Sequence, residues 1–477
     1  MSLKEAVLLA VRSNASLKTA YLERVLDRFR LDYAKAEFQP QGNLRFDSSH
    51  SRTDAGQAAQ RSAAALDLGL ALPGGGRIEF GWALNRQRDN TIAGGTPAAA
   101  SNLALQLTQP LLRGAGQIAQ SNLRLADITE AQARLQLRAN VMATITMVIS
   151  AYRSLQEARA QVGLANDALK RSQTLADINQ TLVDTGRLGR LELLQTRADI
   201  ASGELDVIEA ETRADNARLT LLRLLDMDLL GDIIPEDMTR TDDAKSASLP
   251  ATVSAPVSTM ASASASGPLA IPLPDENRAL ALAESLRPDF LSARLAEQAS
   301  ELGWQKARDQ TLWQLDLVVS AARKAQATSA TDALSNLAAG RPSNSAALVL
   351  NIPLNDRAAR LARSSADIEQ KKTLLRTSDI HQTLRVEVMN ALRNVWNTGR
   401  QTVLASQNLA LNRQKLDAEL AKLNVGRTSL FQVTSFQQNL KQAEQTRINA
   451  LTAHANALSQ LDLALGTTLQ TWEIVLD

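Results

Sequence analysis

Residues 66–84 read LDLGLALPGGGRIEFGWAL, and this stretch decides what kind of sheet the chain can form. Leu66, Leu68, Leu70 and Leu72 alternate with Asp67 and Gly69; after Pro73-Gly74-Gly75-Gly76, Ile78, Phe80, Trp82 and Leu84 alternate with Glu79 and Gly81. Successive side chains of a strand point to opposite faces, so each run has one apolar and one polar face, and the Pro-Gly run between them is a tight hairpin turn. The alternation returns at Leu103, Leu105 and Leu107, set against Gln106 and Thr108. A glycine run also suggests a phosphate loop, but here a strand follows it and no Lys-Ser/Thr closes it, so the hairpin reading prevails. Alternation alone fits either a half-buried soluble sheet or the wall of a membrane barrel.

The helical patterns around these strands are far longer than a globular domain uses. Residues 117–184 form one unbroken pattern, about 100 Å long at 1.5 Å per residue. Leu137, Val141, Val148, Tyr152 and Leu155, like Leu416, Leu420 and Leu423, keep the three-and-four spacing of a coiled-coil seam. Composition agrees, with 44% apolar residues but only 3% aromatic, the make-up of helices packed through small and aliphatic side chains. A formal charge of +2 provides no field for a nucleic-acid partner, and the absence of Cys excludes disulfides, thiolate metal sites and a Cys nucleophile. The longest apolar run, Val141 to Ala151, is interrupted by Thr144, Thr146 and Ser150 and falls short of the roughly 18 residues of a spanning helix, so any membrane span must be built from strands. The opening MSLKEAVLLAV already reads as an amphipathic helix, so a signal peptide is absent from these residues.

The chain is also two copies of one unit. Asn14 to Phe46 align without gaps to Arg287 to Val319, Pro110 matches Pro353, Asp127-Ile128 match Asp367-Ile368, Ala151 matches Ala391, and Gly186-Arg187 match Gly426-Arg427. Residues 1–230 are the first repeat, with a helix over Leu3 to Phe38, strands within 43–109, the long helix 117–184 and a return helix 191–226. Residues 231–274, acidic and then Ser/Ala/Pro-rich, are a linker or equatorial segment. Residues 275–470 repeat the order, with a helix over Glu276 to Trp313 reset at Pro288, strands 315–323 and 346–352, a long helix 356–424 and a return helix 429–465; residues 471–477 are a tail. The lengths suggest that the helix Leu191 to Asp226 stacks end to end on Glu276 to Trp313, with the linker at the waist. Residues 53–60, 90–101 and 324–344 read as long polar loops opposite the tight turn, the asymmetry of outer-membrane barrels.

The repeated helix, strand, long helix, short helix unit, the segment LTQPLLRGAG (Leu107 to Gly116), the start SLKEAVLLAVRSN and the turn motifs at Gly186 and Gly426 together resemble the TolC-like outer-membrane efflux protein family over essentially the whole chain outside the linker. The resemblance implies a mixed, mainly α fold, a homotrimer whose long coiled-coil helices form an α-helical barrel across the periplasm and whose strands form a transmembrane β-barrel in outer-membrane lipid. It implies no enzyme and no cofactor, but an exit duct for a tripartite efflux pump or type I secretion system, docked on a periplasmic adaptor protein and an inner-membrane pump. The rival reading is a soluble periplasmic coiled-coil scaffold or adaptor without a pore. Family members contribute four strands each, twelve per trimer; this chain offers four in the first repeat and two in the second, so that twelve and eighteen both remain open.

By the same resemblance, Gly186, Arg187, Gly426, Arg427, Thr428 and Ser429 lie at the periplasmic tip that meets the adaptor, although glycines between antiparallel helices also serve simply as turns. Where relatives carry two acidic residues that form a constriction, this chain has Gln432 and Ser435. Glu192, at the first-repeat equivalent of Gln432, is either a tip charge or a carboxylate favoured in a helix's first turn. Phe80, Trp82 and Trp313 fit an interfacial girdle or a core equally well. His50, His381 and His454 are scattered, and solvent or packing roles are their default, with no metal site implied.

Overall fold

A computed structural model describes residues 1–52, 58–89, 98–185, 190–236, 274–424 and 427–475. The elements in chain order are α1 (Leu3–Ser13), α2 (Ala15–Ala36), β1 (Gln41–Arg52), β2 (Ala58–Ala71), β3 (Arg77–Asp89), β4 (Ala98–Pro110), α3 (Ser121–Asp184) after a short 3-10 turn, and α4 (Arg190–Leu224). The second half gives α5 (Glu276–Leu286), α6 (Pro288–Asp309), β5 (Gln314–Ala327), α7 (Ala330–Ser335), β6 (Arg341–Asn351), α8 (Arg357–Asn424), α9 (Leu430–Leu465) and α10 (Thr468–Thr471). Two compact units result, one of Met1–Leu22, Leu135–Leu291 and Asp379–Asp477, the other of Glu23–Arg134 and Ser292–Ser378.

The second unit holds one antiparallel sheet in the order β1-β2-β3-β4-β5-β6. Its registers run without a bulge, with Leu66 opposite Trp82, Trp82 opposite Leu103 and Val319 opposite Ala346. The six strands fall on the alternating runs, each extended at one or both ends. The hairpin turn after β2 closes through Leu72 N–H to Gly76 O at 2.7 Å and Gly75 N–H to Leu72 O at 2.9 Å. This turn is tied to the LLRGAG segment after β4. Gly116 N–H donates to Gly74 O at 3.1 Å, and the Gln109 and Gln120 side chains donate to the carbonyls of Gly74 and Pro73. Gly75 has φ +92°, and a Cβ on it would collide with the Gly114 carbonyl oxygen and lie 3.1 Å from Pro110 Cγ. Only glycine fits that seat.

The loop expected over 324–344 is largely structured. β5 runs on to Ala327, and Ser329 caps α7 by accepting from Asp332 N–H, so that Ala333 is fully buried. α7 lies against β3, β4 and β5, over Ala99, Ser101 and Ala325, which are buried.

In the first unit the repeat is visible as packing. Ala6 and Ala10 of α1, with Val148, Tyr152 and Leu155 of α3, Leu221 of α4 and Leu225 just past its end, are almost wholly buried in one core. Their equivalents, Ala279 and Ala283, Val388, Leu392 and Val395, Leu461 and Leu465, form another. Alanine at the same two helix positions lets the short helix approach the long one closely in both copies.

Two expectations are corrected here. The helix expected over Leu3 to Phe38 is broken at Asn14, as its counterpart is at Arg287, with φ/ψ of −54°/124° and −69°/122°. At Asn14 the side chain performs the break: its Oδ1 accepts from Ser16 and Leu17 N–H and its Nδ2 donates to Leu224 O at 2.8 Å. That contact also overturns the expected stacking. α4 ends against the Asn14 break of its own repeat, with Ser13 Oγ donating to Leu225 O at 2.6 Å. α9 ends at Gly466, whose Cβ position lies 2.9 Å from Leu286 C, against the Arg287 break. Each return helix therefore meets the short helices of its own repeat.

Candidate functional site

Two regions combine exposed apolar side chains with a defined local geometry. The first is the hairpin end of α8 and α9. Arg427 N–H donates to Lys422 O at 2.9 Å and continues the α8 end, while Ser429 caps α9 by accepting from Gln432 N–H at 3.3 Å. Thr428 Oγ1 donates to Glu419, which also pairs with Lys422 at 2.9 Å and is only 6% exposed. The Thr428 hydroxyl and then the Lys422 ammonium hold the Glu419 carboxyl below its usual range. Beneath this turn Leu175, Leu409, Leu416, Val433 and Leu440 form a separate apolar core.

Gln432 is exposed and Ser435 half-buried. Ser435 lines a concavity between α4 and α9 with Thr196, Asp199, Ser429, Gln438 and two exposed apolar residues, Leu194 and Phe431, at 62% and 81% exposure. Gly186, Arg187 and Gly426 lie outside the described residues; Glu192 falls in the first turn of α4. Sequence reasoning missed Leu194, Phe431 and Glu419. A signal for Phe431 was present, since an aromatic two residues past an N-cap leads a polar helix face, with Ser435 and Gln438 spaced below it.

The second region is the sheet. One face carries Leu44, Phe46, Leu66, Phe80, Trp82, Leu105, Val319, Leu348 and Leu350, of which Phe46 is 73% and Leu348 67% exposed. Phe80 and Trp82 are half-buried on this face, with Trp82 Nε1–H donating to Ser101 Oγ at 3.2 Å, while Trp313 precedes β5 and is exposed. The opposite face carries small residues, Gly69, Ala71, Gly81, Ala83, Ala104 and Ala322, among Asn43, Asp67, Glu79 and Gln106, which line a shallow concavity. β1 and β6 are the two edges and neither pairs with the other.

The model of the outer membrane efflux protein family matches residues 8–226 and 279–467, one match for each repeat. The chain belongs to this family. Members of the outer membrane efflux protein family are channels and not enzymes, and the TolC-like fold recurs here in full. The structure resembles the CusC channel with a TM-score of 0.69 at 18% identity, covering 97% of this chain and 92% of that one. It resembles the CmeC outer membrane channel of Campylobacter jejuni (TM-score 0.66, 16% identity, 98% and 86% covered) and the open state of the MtrE channel of Neisseria gonorrhoeae (0.67, 18%, 98% and 89%). No curated protein matches by sequence. At these identities the structural likeness carries the fold.

Proposed function

We propose that this outer membrane efflux protein is the exit duct of a tripartite efflux pump or type I secretion system. Three copies pair β1 of one with β6 of the next, and the helices form a barrel on the periplasmic side. The observation that carries this reading is the sheet with one exposed apolar face and two unpaired edges. Unpaired backbone N–H and C=O groups are not tolerated in hydrocarbon, so a sheet facing lipid must close. Six strands in simple order leave β1 and β6 pointing in opposite directions, so a neighbour's edge pairs in the same antiparallel sense as every pair within the chain.

Three times six strands, spaced about 4.8 Å apart and tilted about 40°, enclose a backbone cylinder roughly 36 Å across, against roughly 24 Å for twelve strands. The small residues of the polar face keep that bore open. The hairpin end with Ser429, Thr428, Arg427 and the exposed Phe431 is the surface offered to the periplasmic adaptor, Gly186, Arg187 and Gly426 belong to the same proposed contact, and Glu192, Gln432 and Ser435 are the proposed constriction residues.

Light scattering in detergent, corrected for the micelle, should give three times 51.5 kDa. A monodisperse monomer that needs no detergent would favour the soluble scaffold instead. Single cysteines at Leu68 and Phe80 should react with a lipid-confined probe; labelling by a membrane-impermeant reagent instead would remove the β2–β3 hairpin from the wall and leave twelve strands.

A further inference from the structure

Charge is sorted between the two faces of the sheet. Because the registers contain no bulge, the face of every strand residue follows from the pairings. Of the strand carboxylates whose side chains are described, Asp47, Asp67, Glu79 and Asp316 all lie on the polar face. The apolar face has none, yet it is not uncharged. Arg86 and Arg88 follow Ile78, Phe80, Trp82 and Leu84 on that face of β3, Arg323 follows Leu315, Leu317, Val319 and Ala321 on β5, and His50 and Arg52 follow Leu44 and Phe46 on β1.

These basic residues share one end. Arg86 and Arg323 each occupy the first same-face position past the apolar run, at the end of the sheet away from the Pro73–Gly76 turn, and Gln60 lies between His50 and Arg88 in register. Arg52, Arg86 and Arg88 are exposed and form no salt bridge with any described residue. Arg323 donates one N–H to Ala338 O and so also holds the α7 segment down. The one acid of α7, Asp332, is engaged by its own cap residue Ser329.

An apolar band that ends in arginines which form no salt bridge with a described residue, and that carries no carboxylate among the described side chains, matches the boundary where acyl chains give way to anionic headgroups. We infer that Arg86 and Arg88, flanked by Arg52 and Arg323, bind the phosphates of a phosphorylated glycolipid in the leaflet opposite the periplasmic turn. Guanidinium suits this ligand because its planar fork donates two parallel hydrogen bonds to phosphate oxygens. The sorting has a counterpart in the bore, where carboxylates and cations are mixed, as a water-filled passage allows. The inference rests on the reading that the apolar face meets lipid.

The test uses the purified full-length oligomer and two probes, lipid A bearing both phosphates and the same lipid with both removed, scored by retained lipid in native mass spectrometry. The wild type and Lys324→Gln, whose charge sits on the polar face, should retain the phosphorylated lipid alike and the dephosphorylated lipid weakly. The double variant Arg86→Gln/Arg88→Gln, shown to be folded by its unheated gel mobility, should bind the phosphorylated lipid roughly 30-fold more weakly, about fivefold for each arginine. Equal retention by the double variant, or no preference of the wild type between the two lipids, overturns the inference. Failure of the lipid-facing reading itself is distinguishable, because the protein would then stay soluble without detergent and retain neither lipid.

Discussion

Replacing Gly75 by alanine tests whether the β2–β3 hairpin is built into the sheet's foundation. Gly75 sits at φ +92°, between the Gly114 carbonyl and Pro110 Cγ, with Ala119 Cβ 3.3 Å from where its own Cβ would be. An L side chain in the left-handed region costs about 1–2 kcal/mol before any contact is counted. The clash with Gly114 also forces the turn away from the junction, which puts the Gly116 N–H to Gly74 O hydrogen bond at risk for about 1 kcal/mol more. The expected loss is therefore about 3 kcal/mol per chain. Gly74→Ala is the matched control, since a Cβ there meets nothing within 4 Å and its φ is not positive; reduced freedom of the unfolded chain should make it neutral or stabilising by about 0.5 kcal/mol. Urea-dependent folding into micelles, followed by the mobility of unheated samples, measures both. If Gly75→Ala unfolds within about 0.5 kcal/mol of the wild type, the docking of this turn on the LLRGAG segment contributes nothing and the reasoning fails.

Burial raises the Asp462 carboxyl to about 6, with Thr467, Thr471 and Arg153 opposing the rise. A carboxyl raised in the folded state favours the protonated form, so stability is highest below its unfolded value near 3.8 and falls as pH rises through about 6. Asp462→Asn should leave the thermal midpoint unchanged at pH 3.5 and raise it at pH 7.5, by up to about 3 kcal/mol of stability; an unchanged pH profile would count against it. Gly466→Ala should destabilise by about 2 kcal/mol or more, because φ is +78° and its Cβ would stand 3.0 Å from Arg287 N; chemical denaturation of the purified protein measures this. Phe431→Ala should leave that midpoint within about 0.5 kcal/mol, since the ring is 81% exposed, yet weaken adaptor capture at least tenfold in a pull-down or surface-binding assay. Equal adaptor binding would move the contact surface away from the α9 start.

The strands were the most legible part, because a period of two over seven or more residues permits one face assignment, and Leu66 through Leu84 carry it almost without exception. The long helices were legible for the corresponding reason at a period of three and four. The break at Asn14 was not, although its repeat partner Arg287 stands before Pro288: proline announces a break from its own ring, whereas asparagine breaks a helix only if tertiary partners, here Leu224 O and the Ser16 N–H, engage its amide. The stacking of the return helices was misjudged because matched lengths say which rods could be joined and not which ends touch. At the hairpin end, Ser429 was readable as a cap, but the Glu419, Thr428 and Lys422 cluster brings together residues nine apart across a turn, a proximity no periodicity encodes.

The six-stranded arc with two bare edges also has a genetic consequence. In the proposed ring each copy supplies one edge and receives another, so a chain that folds its helices but spoils β1 or β6 still enters assemblies and leaves a seam in each. Co-expressed in equal amount with the normal chain, such a copy would spare only about one ring in eight. Alleles that damage the edges should therefore behave as dominant poisons, whereas alleles that abolish the whole chain should be recessive.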